Sequence, residues 1–136
     1  MAALLSVGLV SMIFPSPITG STAEVSRLIA EISGGSHSSY LAMLALSNVL
    51  VGPVAEEVVW RGICLPSLAS KFGLPLALIL SSLGFAAYHL SWEELPALTL
   101  VGLVLGIGLV QARGNLAAPI LAHVLYNAVA FTSMLT

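Results

Sequence analysis

Four long apolar stretches dominate the chain from residue 40 onward, and short polar segments separate them. Their apolar residues run continuously instead of alternating with polar ones, which favours helices over the strands of a barrel. We predict helices from Tyr40 to about Ser70, from Leu74 to about Leu90, from Leu95 to Ala112 and from Leu116 to about Met134. Pro53 should bend the first helix, because proline removes the amide that would bond to the Val49 carbonyl.

The first 39 residues have a different pattern. Residues 1–14 are apolar but shorter than the ~20 residues needed to cross a bilayer. They are compatible with a signal-like segment and with part of a longer span. A short amphipathic helix ending near Ile32 follows and is typical of a helix in the membrane interface, and Gly34–Ser39 is a flexible linker. We therefore divide the chain into an N-terminal part, residues 1–39, and a transmembrane core, residues 40–136.

The composition indicates that the predicted helices lie in a membrane. Of the 136 residues, 58% are hydrophobic and only 7% are charged, whereas soluble domains carry about 25% charged residues. So few charges cannot cover a water-exposed surface, so the apolar exterior must face lipid. The expected fold is an all-α, polytopic transmembrane bundle with about four spanning helices, preceded by the short apolar segment and the interfacial helix.

The remaining composition limits the partners. A net charge of −2 with scattered basic residues argues against nucleic acid, and membrane lipid is the expected surrounding. The single cysteine, Cys64, rules out an intramolecular disulfide. Lys71 and Arg113 fall in turns on one side of the predicted bundle, which the positive-inside rule places toward the cytoplasm or its organellar equivalent. In the third stretch Gly102, Gly106 and Gly108 form a small-residue face that predicts close helix packing.

Three charges interrupt the first predicted helix. Placing Glu56, Glu57 and Arg61 within a bilayer would cost roughly 8 to 10 kcal/mol unless partners or water meet them. Glu57 and Arg61 are four residues apart on one helical face, so we predict an ion pair between them. Glu56 lies about 100° further around the helix, aligned with Trp60. The spacing therefore explains Glu57 but not Glu56, and a carboxylate in an apolar site is basic enough to take a proton from water.

Two further helices carry histidines. With a turn near Phe72, Glu56 lies about 16 residues before the turn and His89 about 17 after it, so an antiparallel hairpin places them at similar depth. In the last helix His123 and Asn127 are four apart on one face. His123 reaches the same depth only if the two hairpins are staggered or tilted.

Each polar residue also has a structural explanation. The ion pair of Glu57 and Arg61 fits a structural role as well as a catalytic one. A histidine in a membrane helix is often only hydrogen-bonded to other residues of the bundle. Two polar side chains on one face of the last helix favour a site, because they are costly in lipid unless they are used.

Together these motifs resemble the CPBP family of intramembrane endopeptidases, the CAAX-protease and bacteriocin-processing family, also called ABI. The resemblance covers about residues 49–129. Its motifs are Glu56-Glu57-xxx-Arg61, Phe85-xxx-His89 and His123-xxx-Asn127, with Trp60-Arg61-Gly62 and Gly114–Ile120 as flanking matches. The region before residue 49 has room for only about two spans, one of them incomplete, where the family usually has more.

The resemblance implies a hydrolase that cleaves membrane-associated proteins, similar to the CAAX prenyl protease 2 type that removes the end of a prenylated tail. It implies that Glu56 activates water with help from His89. It implies that His123 and Asn127 hold the scissile carbonyl and stabilise its oxyanion. Glu57 with Arg61 would support the site. The plasma membrane of a bacterium and a plastid membrane are the candidate locations.

Two alternatives stay open. Family members have been described as metalloproteases, and Glu56, His89 and His123 could bind zinc with an open position for water. The HExxH pairing of soluble zinc proteases is absent from the sequence, and we favour the mechanism without metal. A noncatalytic membrane scaffold or bacteriocin-immunity-type protein on the same fold is the alternative function.

Overall fold

The computed structural model describes residues 38–133 together with Arg27 and Glu31. Within this part of the chain four helices follow one another and no strand occurs, which confirms the all-α prediction for these residues. Each predicted helix end that falls on described residues lies within two residues of the observed one, and the predicted end near Met134 lies outside them. The helices are α1 (Ser39–Phe72), α2 (Leu74–Tyr88), α3 (Leu95–Gln111) and α4 (Ala117–Ser133).

The N-terminal predictions lie almost wholly outside the described residues. These are the apolar segment 1–14, the interfacial helix and the linker. Arg27 and Glu31 are described: both are helical, and they form an exposed ion pair of 3.2 Å at i,i+4 spacing. Ser38 and Ser39, predicted as the end of the linker, are already helical, so the linker prediction is wrong at these two residues.

Helix α1 changes its hydrogen-bond register twice. Two π-helical segments, Leu46–Val51 and Val58–Cys64, interrupt its α-helical turns, and each is followed closely by a proline, Pro53 or Pro66. A proline lacks an N–H, and its ring clashes with the carbonyl four residues earlier. The wider π turn relieves that clash. The helix therefore continues through both prolines with a change of register before each, and the bend at Pro53 stays a prediction.

Helix α1 is the one helix of the described residues that is long and apolar enough to cross a membrane, with 34 residues and a mean hydropathy of 1.5 over its most apolar window. Helices α2, α3 and α4 are apolar but have only 15, 17 and 17 residues. Their outward surfaces suit lipid, since large aliphatic side chains are exposed on each of them. Examples are Leu76, Ile79, Leu83, Leu100, Val104, Leu121, Leu125 and Val129. A count of four spanning helices stays a prediction.

Two glycines of α3 allow it to approach α2 closely. A Cβ atom at Gly102 would lie 3.0 Å from the Cα atom of Ser82, and one at Gly106 would lie 2.8 Å from a methyl group of Leu78. The packing role predicted for these two positions is thus present. Gly108 differs: a Cβ there would meet nothing within 4 Å, and the residue lines an apolar cavity of about 380 Å³ between α3 and α4.

We expect Gly102→Ala to lower the free energy of unfolding by about 1–3 kcal/mol, because the added methyl group meets the backbone of α2. Gly108→Ala is the matched control on the same helix. It should raise stability by about 0.5–1 kcal/mol, because alanine replaces a helical glycine in open space. Thermal unfolding of the detergent-solubilised variants measures both effects, and equal effects at the two positions would contradict the packing assignment.

Candidate active site

The carboxylate of Glu57 lies at the centre of a buried polar cluster. Its side chain is completely buried, and its Oε1 atom accepts a hydrogen bond of 2.8 Å from Nη1 of Arg61. The ion pair predicted from the helical spacing is therefore present. The same oxygen lies 2.9 Å from Nδ1 of His123 on α4. One oxygen atom of α1 thus holds both a guanidinium of its own helix and an imidazole of another.

Arg61 extends this cluster to α3. Its Nη2 donates a hydrogen bond of 2.9 Å to the carbonyl oxygen of Gly102. Its guanidinium carbon lies 4.6 Å from the ring centroid of Phe85 on α2, a distance suited to a cation–π contact. The Arg61 side chain is only 2% exposed. Through these two contacts it joins α1 to α2 and to α3.

His123 lies between two carboxylates. Oε1 of Glu57 already accepts a hydrogen bond from Arg61 and can only accept, so Nδ1 of His123 must carry the hydrogen in their contact. The other ring nitrogen, Nε2, then faces Oε2 of Glu56 at 3.6 Å, which is longer than a hydrogen bond. The stagger that the sequence left open is therefore resolved, since α4 brings His123 to the level of both glutamates.

Glu56 points into the bundle beside Glu57 and is only 6% exposed. The two adjacent carboxylates of α1 thus approach the two nitrogens of one imidazole ring.

His89 sits just beyond the end of α2. The helix ends at Tyr88, two residues earlier than predicted, and His89 occupies its C-cap. Its Nδ1 lies 2.8 Å from the carbonyl oxygen of Phe85 and must donate to it, because a carbonyl only accepts. This bond fixes the tautomer and leaves Nε2 with a lone pair. The following residue, Leu90, has a φ of 48°, an uncommon value for a residue with a side chain.

The ring of Phe85 connects the two histidines. Its centroid is 4.7 Å from the ring of His89 and 5.8 Å from the ring of His123, and the side chain is 1% exposed. The structure thus brings His89 and His123 to one aromatic ring. Phe85 belongs to the second motif, but its contact with both histidines was not predicted from the sequence.

Asn127 lies one turn after His123 on α4 and is partly buried. Its Nδ2 donates a hydrogen bond of 2.8 Å to the backbone carbonyl of Asn48 in the first π segment of α1. Sequence reasoning missed Asn48. The available signal was a lone amide in an apolar stretch, five residues before a proline.

The indole ring of Trp60 packs beside the polar cluster, against two other aromatic rings. Its ring packs edge-on against Phe85 and Tyr88, with centroid distances of 6.4 and 5.8 Å. It also fills the space beside Gly84, where a Cβ would lie 2.7 Å from the indole ring. Among the described side chains, the indole N–H of Trp60 and Oε2 of Glu57 are buried without a hydrogen-bond partner. The buried cluster therefore contains one hydrogen-bond donor, the indole N–H, and one acceptor, Oε2 of Glu57, that no described group engages.

The sequence left a zinc site open at Glu56, His89 and His123. Among the described residues, no group of three or more His, Cys, Asp or Glu side chains is arranged to hold a metal ion. A catalytic zinc site needs three protein ligands around an open position, and the zinc alternative stays a prediction.

Removing the guanidinium should be costly, because it leaves the Glu57 carboxylate buried without its cation. We expect Arg61→Leu to lower the free energy of unfolding by about 3–5 kcal/mol. Arg27→Leu is the matched control, since Arg27 and Glu31 form an ion pair of the same i,i+4 spacing with side chains 81% and 60% exposed. That change should stay within about 0.5 kcal/mol. Thermal unfolding in detergent compares the two, and a similar loss in both would contradict the assignment.

Comparison with models of known protein families gives a match over most of the described residues. The family model described as Type II CAAX prenyl endopeptidase Rce1-like matches residues 38–129, about two thirds of the chain. The matched segment runs from the start of α1 into α4 and contains every residue of the predicted site. It confirms the resemblance drawn from the three motifs. No curated protein and no solved structure matches the chain.

Proposed function

The chain belongs to the Rce1-like family of type II CAAX prenyl endopeptidases, and from this membership we propose that it cleaves a peptide bond of a membrane-associated protein, with a prenylated CAAX-type C-terminus as the substrate. Membrane lipid surrounds the enzyme, and the substrate protein is its partner. In the proposed mechanism six residues take part in the hydrolysis: Glu56, Glu57, Arg61, His89, His123 and Asn127.

The observation that carries the proposal is the imidazole held between two buried carboxylates. Nδ1 of His123 contacts Glu57 at 2.9 Å, and Nε2 faces Glu56 at 3.6 Å. Ionisable groups are expensive within a membrane protein and are kept there chiefly where they are used. One carboxylate is neutralised by Arg61 on its own helix, and the other is placed next to a group that can carry a proton.

Glu56 is the proposed general base. It takes a proton from a water molecule while the water oxygen attacks the carbonyl carbon of the scissile bond. His89 assists by orienting that water, since its Nδ1 is held by the Phe85 carbonyl and its Nε2 carries a lone pair. Positioned acid–base groups of this kind contribute about 10²–10⁴-fold in rate.

His123 and Asn127 are the proposed donors to the oxyanion. As an imidazolium, His123 donates from Nδ1 to Glu57 and from Nε2 to the substrate oxygen, which takes the place that Oε2 of Glu56 has beside this nitrogen. The amide of Asn127 has two N–H groups, of which one goes to the Asn48 carbonyl. The second supplies the other hydrogen bond. When the tetrahedral intermediate collapses, the C–N bond breaks and Glu56 returns its proton to the leaving amine.

Glu57 and Arg61 are positioning residues in this scheme. Glu57 holds the imidazole through Nδ1 and stabilises its positive charge. Arg61 keeps Glu57 ionised and ties it to the Gly102 carbonyl on α3. A donor that is already oriented costs no reorganisation when the oxyanion forms, which is why such donors are worth about 3–4 kcal/mol each.

Glu56→Gln should abolish cleavage, with a loss of at least about 10²-fold, because the amide cannot accept the proton from water. His89→Ala and His123→Ala should each cause a similar loss. The measurement is the hydrolysis of a prenylated, fluorophore-labelled peptide by the purified protein in lipid vesicles, with unfolding temperatures recorded for every variant.

The matched control is Glu93→Gln, which removes an exposed carboxylate in the α2–α3 loop and should keep full activity. Full activity of Glu56→Gln would overturn the assignment of the general base. If the wild type binds its membrane partners but cleaves nothing, and Glu56→Gln changes neither property, the chain is the noncatalytic scaffold or immunity-type protein instead.

The natural substrate should be revealed by uncleaved tails. In cells that carry only Glu56→Gln, membrane proteins with intact prenylated C-termini should accumulate relative to wild-type cells. Mass spectrometry of membrane-protein C-termini measures this. Accumulation of tails without a prenyl group would place the substrate outside the CAAX class.

A further inference from the structure

The backbone carbonyl of Asn48 in α1 has lost both of its regular helical donors. In an α-helix it would accept from the amide of Gly52, but that amide bonds to the carbonyl of Ser47 in the π register. In the π register it would accept from the amide of residue 53. That residue is Pro53 and has no N–H.

Asn127 supplies the missing donor from α4. Its Nδ2 lies 2.8 Å from the Asn48 carbonyl oxygen, across a sequence separation of 79 residues. The side chain of Asn48 itself donates to the carbonyl of Leu44 at 2.9 Å. A backbone carbonyl without a donor is unfavourable within a bilayer, where no water replaces the missing donor. The contact therefore holds α4 to α1 at this turn.

This contact also fixes the orientation of the Asn127 amide. A carbonyl only accepts, so the nitrogen end of the amide must face α1, and the amide cannot rotate by 180° without losing the bond. One N–H is engaged, and the other is held in a defined direction. Asn127 is one turn from His123, so this second N–H belongs to the same face of α4.

We propose that Pro53 is a positioning residue: by withholding an N–H from the Asn48 carbonyl, it makes that carbonyl the anchor that orients the amide of Asn127. The anchoring itself stands on the hydrogen-bond geometry alone. Its effect on the reaction rests on the proposed function, in which Asn127 is an oxyanion donor. Pro53 is fully buried and acts only through Asn127.

The first test is a stability cycle with wild type, Pro53→Ala, Asn127→Ala and the double variant, each in detergent. Asn127→Ala should lower the melting temperature of the wild type by about 5 °C, because the carbonyl is left without a donor. In Pro53→Ala the new N–H satisfies the carbonyl, so the same change should cost less than half as much. Equal losses in the two backgrounds would overturn the proposal.

Pro66→Ala is the matched control, because Pro66 follows the second π segment of the same helix. In that background Asn127→Ala should keep its full effect. A smaller loss of melting temperature from Asn127→Ala in that background would overturn the specific link to Pro53.

Pro53→Val restores the amide with a side chain of similar size and replaces Pro53→Ala if the latter does not fold. In wild-type protein, rapid solvent exchange of both Asn127 amide protons by NMR would also overturn the anchoring.

The second test is the same cycle in peptide hydrolysis. Pro53→Ala should lower kcat by about tenfold or more with KM within about twofold, because a displaced donor weakens the transition state and not substrate binding. In the Asn127→Ala background it should cause no further loss in kcat. If Pro53→Ala lowers kcat equally in the wild-type and the Asn127→Ala backgrounds, the positioning role is overturned. If the wild type cleaves nothing, the proposed function fails, and the stability cycle still decides the anchoring.

Discussion

A single carboxylate oxygen, Oε1 of Glu57, organises the polar interior of this bundle. It accepts from Arg61 on its own helix and from His123 on α4, and the bond from Arg61 to Gly102 carries the same network to α3. Packing alone holds apolar helices in lipid weakly, because the lipid tails are as apolar as the side chains. The buried ion pair therefore fixes which faces of α1, α3 and α4 meet, and the tautomer and direction of His123 follow from it.

Proline and glycine set the geometry around this network. The two π segments of α1 precede prolines, and π turns of this kind are frequent at functional sites. They release backbone carbonyls from the helix so that a side chain of another helix can bond to one of them. Gly102 brings the backbone of α3 close to Ser82 of α2 and offers its carbonyl to Arg61. The backbone thus supplies polar contacts that the few polar side chains cannot.

The sequence was most informative where the relevant contacts are local. Continuous apolar runs located the helices, and the i,i+4 spacing identified the pair of Glu57 and Arg61. It could not identify the partner of His123, because the stagger between hairpins depends on how side chains of different helices pack. It also could not foresee the contact of Asn127 with Asn48, which requires a change of helical register before Pro53. His89 was placed within its helix, whereas the helix ends one residue earlier.

The short lengths of α2, α3 and α4 have a consequence for the surrounding membrane. At 15, 17 and 17 residues they are only about 22–26 Å long, against a hydrocarbon core of about 30 Å. A bilayer adapts to such hydrophobic mismatch by thinning next to the protein. In the predicted arrangement of four spanning helices, headgroups and water would then lie closer to the buried carboxylates. For the proposed hydrolysis, this thinning would bring water and a lipid-anchored substrate toward the same depth.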